Sequence, residues 1–292
     1  MAQQEDGRRV HAFFDGEERR ISMKTIHFQV KDNISETLVI PLYFRAVESR
    51  RPDGMIKDKR AEALVDQLDV DFSQMKLMGH DQVTTIMRLR EFDRFAREFL
   101  TRNPDGVVVH VGCGLDTRFE RVDNGQVTWF DLDLPDVIEL RRQLLGETGE
   151  RHHLLGASVL EPGWLEAVRA CGKTPVLLMA EGVFPYFEEE QVKAIFLAVR
   201  EAFPAAEVVC DAMTPFMIFL DNFHFIGSPI KARLHWGMKT PGVVETWAEG
   251  IKNLEAWYYF DRPEPRIQSM QWMKYIPALS RGVGIFHFRL SA

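Results

Sequence analysis

The fold class is decided by one stretch of sequence, Val107-Val108-Val109-His110-Val111-Gly112-Cys113-Gly114-Leu115-Asp116-Thr117-Arg118. It is an apolar run that ends in two closely spaced glycines, a pattern typical of a buried parallel strand turning into a nucleotide-binding loop. Gly112 and Gly114 have no Cβ, so the chain can turn sharply and bring its backbone N–H groups close to a ligand. The stretch predicts an α/β protein with a cofactor at the carboxyl end of this strand.

A second apolar run begins at Val127 and ends in Asp131-Leu132-Asp133, about 20 residues after the glycines, where dinucleotide-type βαβ units place a ribose-binding acid. We assign the ribose hydroxyls to Asp133, because one carboxylate can accept hydrogen bonds from both. Asp131 lies two residues earlier and could exchange roles with it. The other role considered for Asp133 is capping of the helix that starts near Pro135, which could coexist with ligand binding.

The glycine loop also indicates which cofactor is bound. A nicotinamide-binding loop has a third small residue where this chain has Thr117, because helix and strand pack closely there. With Thr117 and Arg118 filling that space, a pyrophosphate is disfavoured and a ligand without phosphate is favoured. S-adenosylmethionine is such a ligand. A nicotinamide-dependent oxidoreductase is the alternative enzyme class.

The composition limits the partners and the compartment. The chain has 292 residues, is 46% hydrophobic and carries a formal charge of −7. A net negative charge argues against nucleic acid as the main partner, and no apolar run is long enough to span a bilayer. The three cysteines have no metal-binding spacing and cannot all pair, which fits a cytoplasmic protein that holds no metal.

The chain divides into two predicted regions. Residues 1–102 have helical periodicity and are predicted to form an N-terminal helical cap. Residues 103–292 alternate strands and helices, which predicts a parallel sheet covered on both faces. Residues 213–249 break this alternation and are predicted to be an irregular lid or substrate segment. The predicted strands are residues 107–111, 127–133, 152–155, 176–180, 207–211, 256–260 and 284–290, and a helix is predicted over 188–202.

Three blocks of sequence, residues 111–118, 129–135 and 180–187, resemble the signature blocks of the leucine carboxyl methyltransferase family. Residues 37–46 resemble its bacterial tetracenomycin-type polyketide O-methyltransferase branch. The resemblance implies a class I S-adenosylmethionine-dependent methyltransferase: a Rossmann-like seven-stranded sheet with an antiparallel last strand and an N-terminal helical cap. His110 stands where many such enzymes carry an acid, and Asp116 stands where they carry a third glycine.

Arg88 shares a helix face with Phe92, Phe95 and Phe99, and a buried arginine needs a partner. By resemblance, that partner is the methionine carboxylate of the cofactor; the alternative is an internal salt bridge to a structural acid such as Asp81. The resemblance also places Glu181 near the methionine end of the cofactor, with capping of the following segment as the alternative.

The remaining cofactor contacts are also implied by the resemblance. Phe184 and Tyr186 are expected to flank the sulfonium or to belong to the core. Ser158 and Val159 are expected in the loop beside the adenine. The full predicted cofactor-binding set is Arg88, Gly112, Cys113, Gly114, Asp133, Leu134, Ser158, Val159 and Glu181; for Cys113 a small core side chain is the alternative.

The predicted reaction is S-adenosylmethionine-dependent O-methylation of a carboxylate or hydroxyl of a small molecule, including polyketide-type metabolites. A carboxylate is ionised at neutral pH, whereas a phenol needs a base. His224 and His235 are the candidate bases, but each also suits a surface or packing role, and no catalytic residue is assigned. The alternatives are a protein C-terminal carboxyl methyltransferase and a catalytically silent cofactor-binding or scaffold protein. The sequence leaves the oligomeric state open.

Overall fold

The computed structural model describes residues 33–68, 70, 72, 79–146, 148–224 and 233–291. Residues 1–32 of the predicted cap lie outside this range. Three helices precede the first strand: α1 (Asn33–Arg50), α2 (Lys59–Val65) and α3 (Gly79–Arg102). Their presence agrees with the helical periodicity of this part of the chain.

A single seven-stranded sheet follows. Its strands are β1 (Val107–Val111), β2 (Thr128–Asp133), β3 (His152–Gly156), β4 (Val176–Ala180), β5 (Ala205–Met213), β6 (Ile251–Tyr258) and β7 (Val283–Ser291). The spatial order is β3-β2-β1-β4-β5-β7-β6, and β7 runs antiparallel to both of its neighbours. The predicted fold class is therefore confirmed.

Further α-helices lie between these strands. They are α4 (Arg118–Val122), α5 (Pro135–Leu145), α6 (Gly163–Arg169), α7 (Glu189–Ala202), α8 (Pro215–His224), α9 (Pro241–Glu245) and α10 (Pro277–Ser280). Because the strand order reverses at β1 and β4, the carboxyl ends of these strands form the crevice in which α/β sheets bind ligands.

Each face of the sheet has its own apolar core. On one face, Phe92, Phe95 and Phe99 of α3 pack with Val108 of β1 and Trp129 of β2. On the other face, alternate strand residues pack against α6 and α7. Thus α3 packs as a layer against one face of the sheet. Helices α1 and α2 pack in a smaller cluster with Leu115 at the glycine loop. The boundary at residue 102 between cap and core stays a prediction.

Two predicted elements differ from the structure. The segment 213–249 was predicted to be irregular, yet it contains α8 and α9. Because α8 reads Pro-Phe-Met-Ile-Phe-Leu, apolar on nearly every side, its helical period is hidden in the sequence. Strand β6 starts at Ile251, five residues before the predicted start. Its first half was missed because Lys252 and Leu254, one charged and one apolar, both point outward, so polar and apolar residues do not alternate regularly.

Glu207 on β5 and Arg102 at the end of α3 form an ion pair that we expect to weaken in acid. Both carboxylate oxygens accept from Arg102 at 2.8 Å, and Oε2 also lies 2.7 Å from His287 Nε2. Burial alone would raise the pKa of Glu207, but these partners lower it from 4.5 to about 2. A lowered carboxylate pKa contributes stability above the unfolded value that is lost as pH falls through the folded value.

We therefore expect the difference in unfolding free energy between the parent protein and Glu207→Gln to shrink as pH falls from 4.5 to about 2. Urea unfolding of both proteins across this pH range measures the difference. A difference that stays constant throughout would contradict the prediction.

Candidate functional site

The glycine loop after β1 has a backbone that favours glycine. Gly112 has φ +63° and Gly114 has φ +48°, both in the left-handed region. A Cβ on Gly112 would overlap Cγ2 of Val183, and a Cβ on Gly114 would lie 2.9 Å from Cδ2 of Leu38 on α1. The loop therefore passes close to the segment after β4 and to α1. Cys113 between the glycines is buried, and burial raises the pKa of its thiol, so its side chain belongs to the core side of the loop.

Asp133 ends β2 directly beside this loop. Its Oδ2 accepts from the Gly114 N–H and its Oδ1 from the Leu134 N–H, both at 2.8 Å. Burial raises the pKa of Asp133. Leu134, not Asp133, is the N-cap residue of α5, and it is exposed at the sheet edge. Asp133 is therefore not the N-cap of α5. Its carboxylate is held beside the glycine loop by the N–H groups of Gly114 and Leu134.

The loop after β3 lies at the same sheet edge. The Ala157 N–H donates to the backbone carbonyl of Asp133 at 2.9 Å, which joins this loop to the end of β2. Ser158 Oγ accepts from the Leu160 N–H, and the Val159 carbonyl accepts from Trp164 Nε1. Ser158 and Val159 thus lie next to the end of β2, in a loop fixed by its own hydrogen bonds.

Asp131 cannot exchange roles with Asp133, because its carboxylate is fully engaged inside the protein. It is 1% exposed. Its Oδ1 accepts from Trp129 Nε1 at 2.8 Å, and its Oδ2 pairs with Arg141 Nη2 at 2.5 Å and His152 Nε2 at 2.6 Å. Arg141 in turn donates to the Gly114 carbonyl at 2.9 Å. Asp131 therefore supports the glycine loop indirectly, because it holds Arg141 in place to donate to the Gly114 carbonyl.

Arg88 on α3 contacts the carboxyl ends of β4 and β5. Its Nε donates to Glu181 Oε1 and its Nη1 to Asp211 Oδ2, both at 3.0 Å. The internal salt bridge that was the alternative for Arg88 is therefore present, with Glu181 and Asp211 as its acids. Asp81, the example given for that alternative, is exposed near the start of α3. Asp211 also accepts from the Gly182 N–H, and burial raises its pKa despite Arg88. Asp211 is not among the predicted site residues; it lies within the buried part of β5 and is the last residue of the predicted strand 207–211.

Arg118 is the second arginine on Glu181. The sequence predicts only that Arg118 fills space beside the glycines, but its side chain is fully buried and its Nη2 lies 2.5 Å from Glu181 Oε2. Its Nε donates to Asp93 at 2.8 Å, and its Nη1 lies 2.9 Å from His110 Nε2. Glu181 therefore forms ion pairs with two arginines and does not cap the segment that follows it.

The position of Asp116, where many methyltransferases have a glycine, has a structural explanation. Its Oδ1 pairs with Arg121 at 2.8 Å and its Oδ2 lies 3.2 Å from Arg118. Burial alone would raise the pKa of Asp116, but Arg121 and Arg118 hold it well below its usual range. Arg45 of α1 lies 3.7 Å from the same carboxylate and donates to the Leu115 carbonyl. This ion-pair network fixes the glycine loop against α1.

The aromatic residues after β4 have different environments. Phe184 is fully buried, and its ring meets Trp236 edge-on at 6.2 Å, so in this structure it is a core residue with no face toward a ligand. Tyr186 is 42% exposed, and burial raises the pKa of its hydroxyl, which interacts electrostatically with Arg88. Burial also raises the pKa of the Tyr259 hydroxyl, whereas the nearby positive charge of Arg88 acts to lower it.

Of the two histidines that are candidate bases, the structure describes the side chain of His235, which pairs with Glu188. His235 Nδ1 lies 2.9 Å from Glu188, with 43% of its side chain exposed. The side chain of His224 lies outside the described residues. The structure thus brings together the glycine loop, Asp133, Glu181 and Arg88 at the carboxyl ends of β1, β2 and β4. Such an edge, with carboxylates on two sides of a glycine loop, suits a ligand that carries hydroxyl and ammonium groups.

Comparison with known proteins agrees with this geometry. A family model described as leucine carboxyl methyltransferase matches residues 39–200. The tetracenomycin polyketide synthesis O-methyltransferase TcmP of Streptomyces glaucescens is 34% identical over 79% of this chain and 84% of that protein. An S-adenosyl-L-methionine-dependent methyltransferase of Gibberella zeae, dpfgK, is 30% identical over 75% of this chain and 80% of that protein.

Solved structures share the fold. A DUF574 family protein from Streptomyces avermitilis has a TM-score of 0.55 at 14% identity, and the match covers 87% of this chain and 96% of that protein.

No described helix is long and apolar enough to cross a membrane. The family match over more than half of the sequence, with the identity to TcmP along most of both proteins, shows that this chain belongs to the leucine carboxyl methyltransferase family and is an S-adenosylmethionine-dependent O-methyltransferase.

Proposed function

We propose that this enzyme methylates an oxygen of a polyketide-type small molecule, at a carboxylate or a hydroxyl group. The observation that carries the proposal is the 34% identity to TcmP, which extends over most of both chains. We further propose a cytoplasmic location, which suits the three free cysteines of the chain.

The residues at the sheet edge fit S-adenosylmethionine. The glycine loop packs its backbone closely against the segment after β4, because a Cβ at Gly112 would overlap Val183. In our proposal Asp133 binds the ribose hydroxyls, Glu181 binds the α-ammonium group and Arg88 binds the carboxylate of the methionine part. The cofactor, when bound, supplies a methyl group on a positively charged sulfur. Asp133 suits its role because two N–H groups already hold its carboxylate in place.

The protein contributes mainly orientation in this proposal. Orienting two reactants can supply about 7–11 kcal/mol of the barrier. The described carboxylates nearest Arg88 are Glu181 and Asp211, and both are paired with that arginine. An acceptor that is already ionised, such as a carboxylate, needs no base from the enzyme. Tyr186, partly exposed after β4, is our candidate for contact with the acceptor.

We expect Asp133→Asn to weaken binding of S-adenosylmethionine and S-adenosylhomocysteine about tenfold or more, because an amide has one acceptor oxygen where the carboxylate has two. Calorimetric titration measures both affinities. Asp136→Asn, an exposed position in the first turn of α5, is the matched control and should bind as the parent does. Equal affinity in Asp133→Asn and the parent, or binding of NADH instead, would overturn the proposed site.

The acceptor class is tested by measuring S-adenosylhomocysteine release with three probes. The first probe is an aromatic polyketide that carries both a free carboxyl group and a phenolic hydroxyl group. The second is the methyl ester of that polyketide, and the third is a peptide that ends in leucine. We expect turnover of the polyketide. Turnover of the peptide alone would support the protein carboxyl methyltransferase, and cofactor binding without release on any probe would support a silent protein.

A further inference from the structure

Arg118 links the glycine loop to Glu181 across the switch point of the sheet. It begins α4, directly after the loop on β1, whereas Glu181 follows β4. Every nitrogen of its guanidinium has a partner: Nε donates to Asp93, Nη1 contacts His110, and Nη2 contacts both Glu181 and Asp116. A lysine has a single ammonium group and cannot reproduce this fixed fork of donors.

The two arginines hold Glu181 from two sides. Arg88 binds Oε1 at 3.0 Å, and Arg118 binds Oε2 at 2.5 Å. With both oxygens anchored, the carboxylate has one orientation rather than several. Arg88 is 23% exposed, whereas Arg118 is 0% exposed, so Arg118 is the partner that lies inside the protein.

His110 determines how Arg118 is held. Since a guanidinium has no acceptor, Nε2 of His110 must accept the contact from Nη1, which leaves the ring proton on Nδ1. Nδ1 lies 3.3 Å from Asp131 Oδ1. The two ring nitrogens of His110 therefore face Arg118 on one side and Asp131 on the other. His110 occupies the strand position where many methyltransferases have an acid. An acid there would compete with Glu181 for Arg118.

We propose that Arg118 is a positioning residue, which together with His110 fixes the Glu181 carboxylate to receive the α-ammonium group of S-adenosylmethionine. This inference rests on the cofactor placement proposed above. Arg118 itself, being buried, does not touch the cofactor. It acts on the methionine half of the ligand only, through Glu181.

The experiment compares two ligands by calorimetry. S-adenosylhomocysteine carries the amino-acid half, and 5′-methylthioadenosine lacks it. We expect Arg118→Lys to weaken S-adenosylhomocysteine about tenfold while 5′-methylthioadenosine binds as before. In a Glu181→Gln background the same change should have no further effect, because the two residues act as one unit.

Arg121→Lys is the matched control. Arg121 lies one turn further along α4, is equally embedded and shares Asp93 and Asp116, but does not contact Glu181. It should lower the melting temperature without changing the ratio of the two affinities. If Arg118→Lys does not fold, His110→Phe removes the acceptor for Nη1 while keeping a ring, and should show a smaller loss of the same selectivity.

The outcomes separate the two proposals. Equal weakening of both ligands by Arg118→Lys, a loss that persists in the Glu181→Gln background, or a ratio of affinities matching that of Arg121→Lys would overturn the positioning role. If Glu181→Gln itself leaves S-adenosylhomocysteine binding unchanged, the proposed cofactor placement fails, and the positioning role fails with it.

Discussion

Replacing Asp131 by alanine is expected to destabilise the protein by about 3–5 kcal/mol, a large share of the stability of a domain. The carboxylate neutralises Arg141, which is 2% exposed and lies under the glycine loop. Without it, a buried guanidinium loses its charge partner, and Trp129 Nε1 loses its acceptor. Urea unfolding measures the change.

Two comparisons test the cause of that loss. Asp123 pairs with Arg151 through both oxygens, at 2.6 and 2.8 Å, but the pair lies near the surface. Asp123→Ala should therefore cost about 1 kcal/mol or less. The double variant Asp131→Leu with Arg141→Met should recover much of the stability lost in Asp131→Leu alone, since no unpaired charge remains buried. A cost for Asp131→Ala no larger than that for Asp123→Ala would refute this reading.

The second large effect is expected at Gly112. An alanine there adds a left-handed backbone cost of about 1–2 kcal/mol to an overlap with Val183 that costs a further 1–3 kcal/mol, by the usual range for overpacking. The loop must also shift, so binding of S-adenosylhomocysteine should fall at least tenfold, by about 1.4 kcal/mol or more. Thermal unfolding and calorimetric titration measure the two effects.

Gly125→Ala separates backbone strain from overlap. Gly125 has φ +82°, but a Cβ there would have no neighbour within 4 Å. We expect only the backbone cost and no change in ligand affinity. If Gly112→Ala and Gly125→Ala behave alike, close packing of the glycine loop does not matter for binding.

Much of the fold was predictable because buried parallel strands are short apolar runs with clear ends. Strands β1 and β4 were predicted with the boundaries that the structure has, at 107–111 and 176–180. Edge strand β6 and helix α8 were not, since the alternation of β6 includes charged residues and α8 is apolar on most sides. In both, contacts with neighbouring elements override the local pattern.

The candidate site was predictable in part. Asp133 and Glu181 were found because Asp133 ends a strand and Glu181 directly follows one, and the carboxyl ends of parallel strands share one edge. The same rule would have found Asp211. Arg118 could not be found in this way, since the residue it serves, Glu181, lies 63 positions away.

The order of strands and helices, the glycine loop and the acids at the sheet edge can be predicted from the amino-acid sequence, because they follow from local patterns of apolar residues and backbone freedom. The amino-acid sequence also carries the family signature. Which charged side chains form ion pairs is seen only in the folded protein. Asp131 and Asp133 stand two residues apart on one strand, yet the first is enclosed by Arg141 and His152 and the second opens on the glycine loop. Burial and ion pairing depend on residues distant in sequence, so no local pattern could separate them.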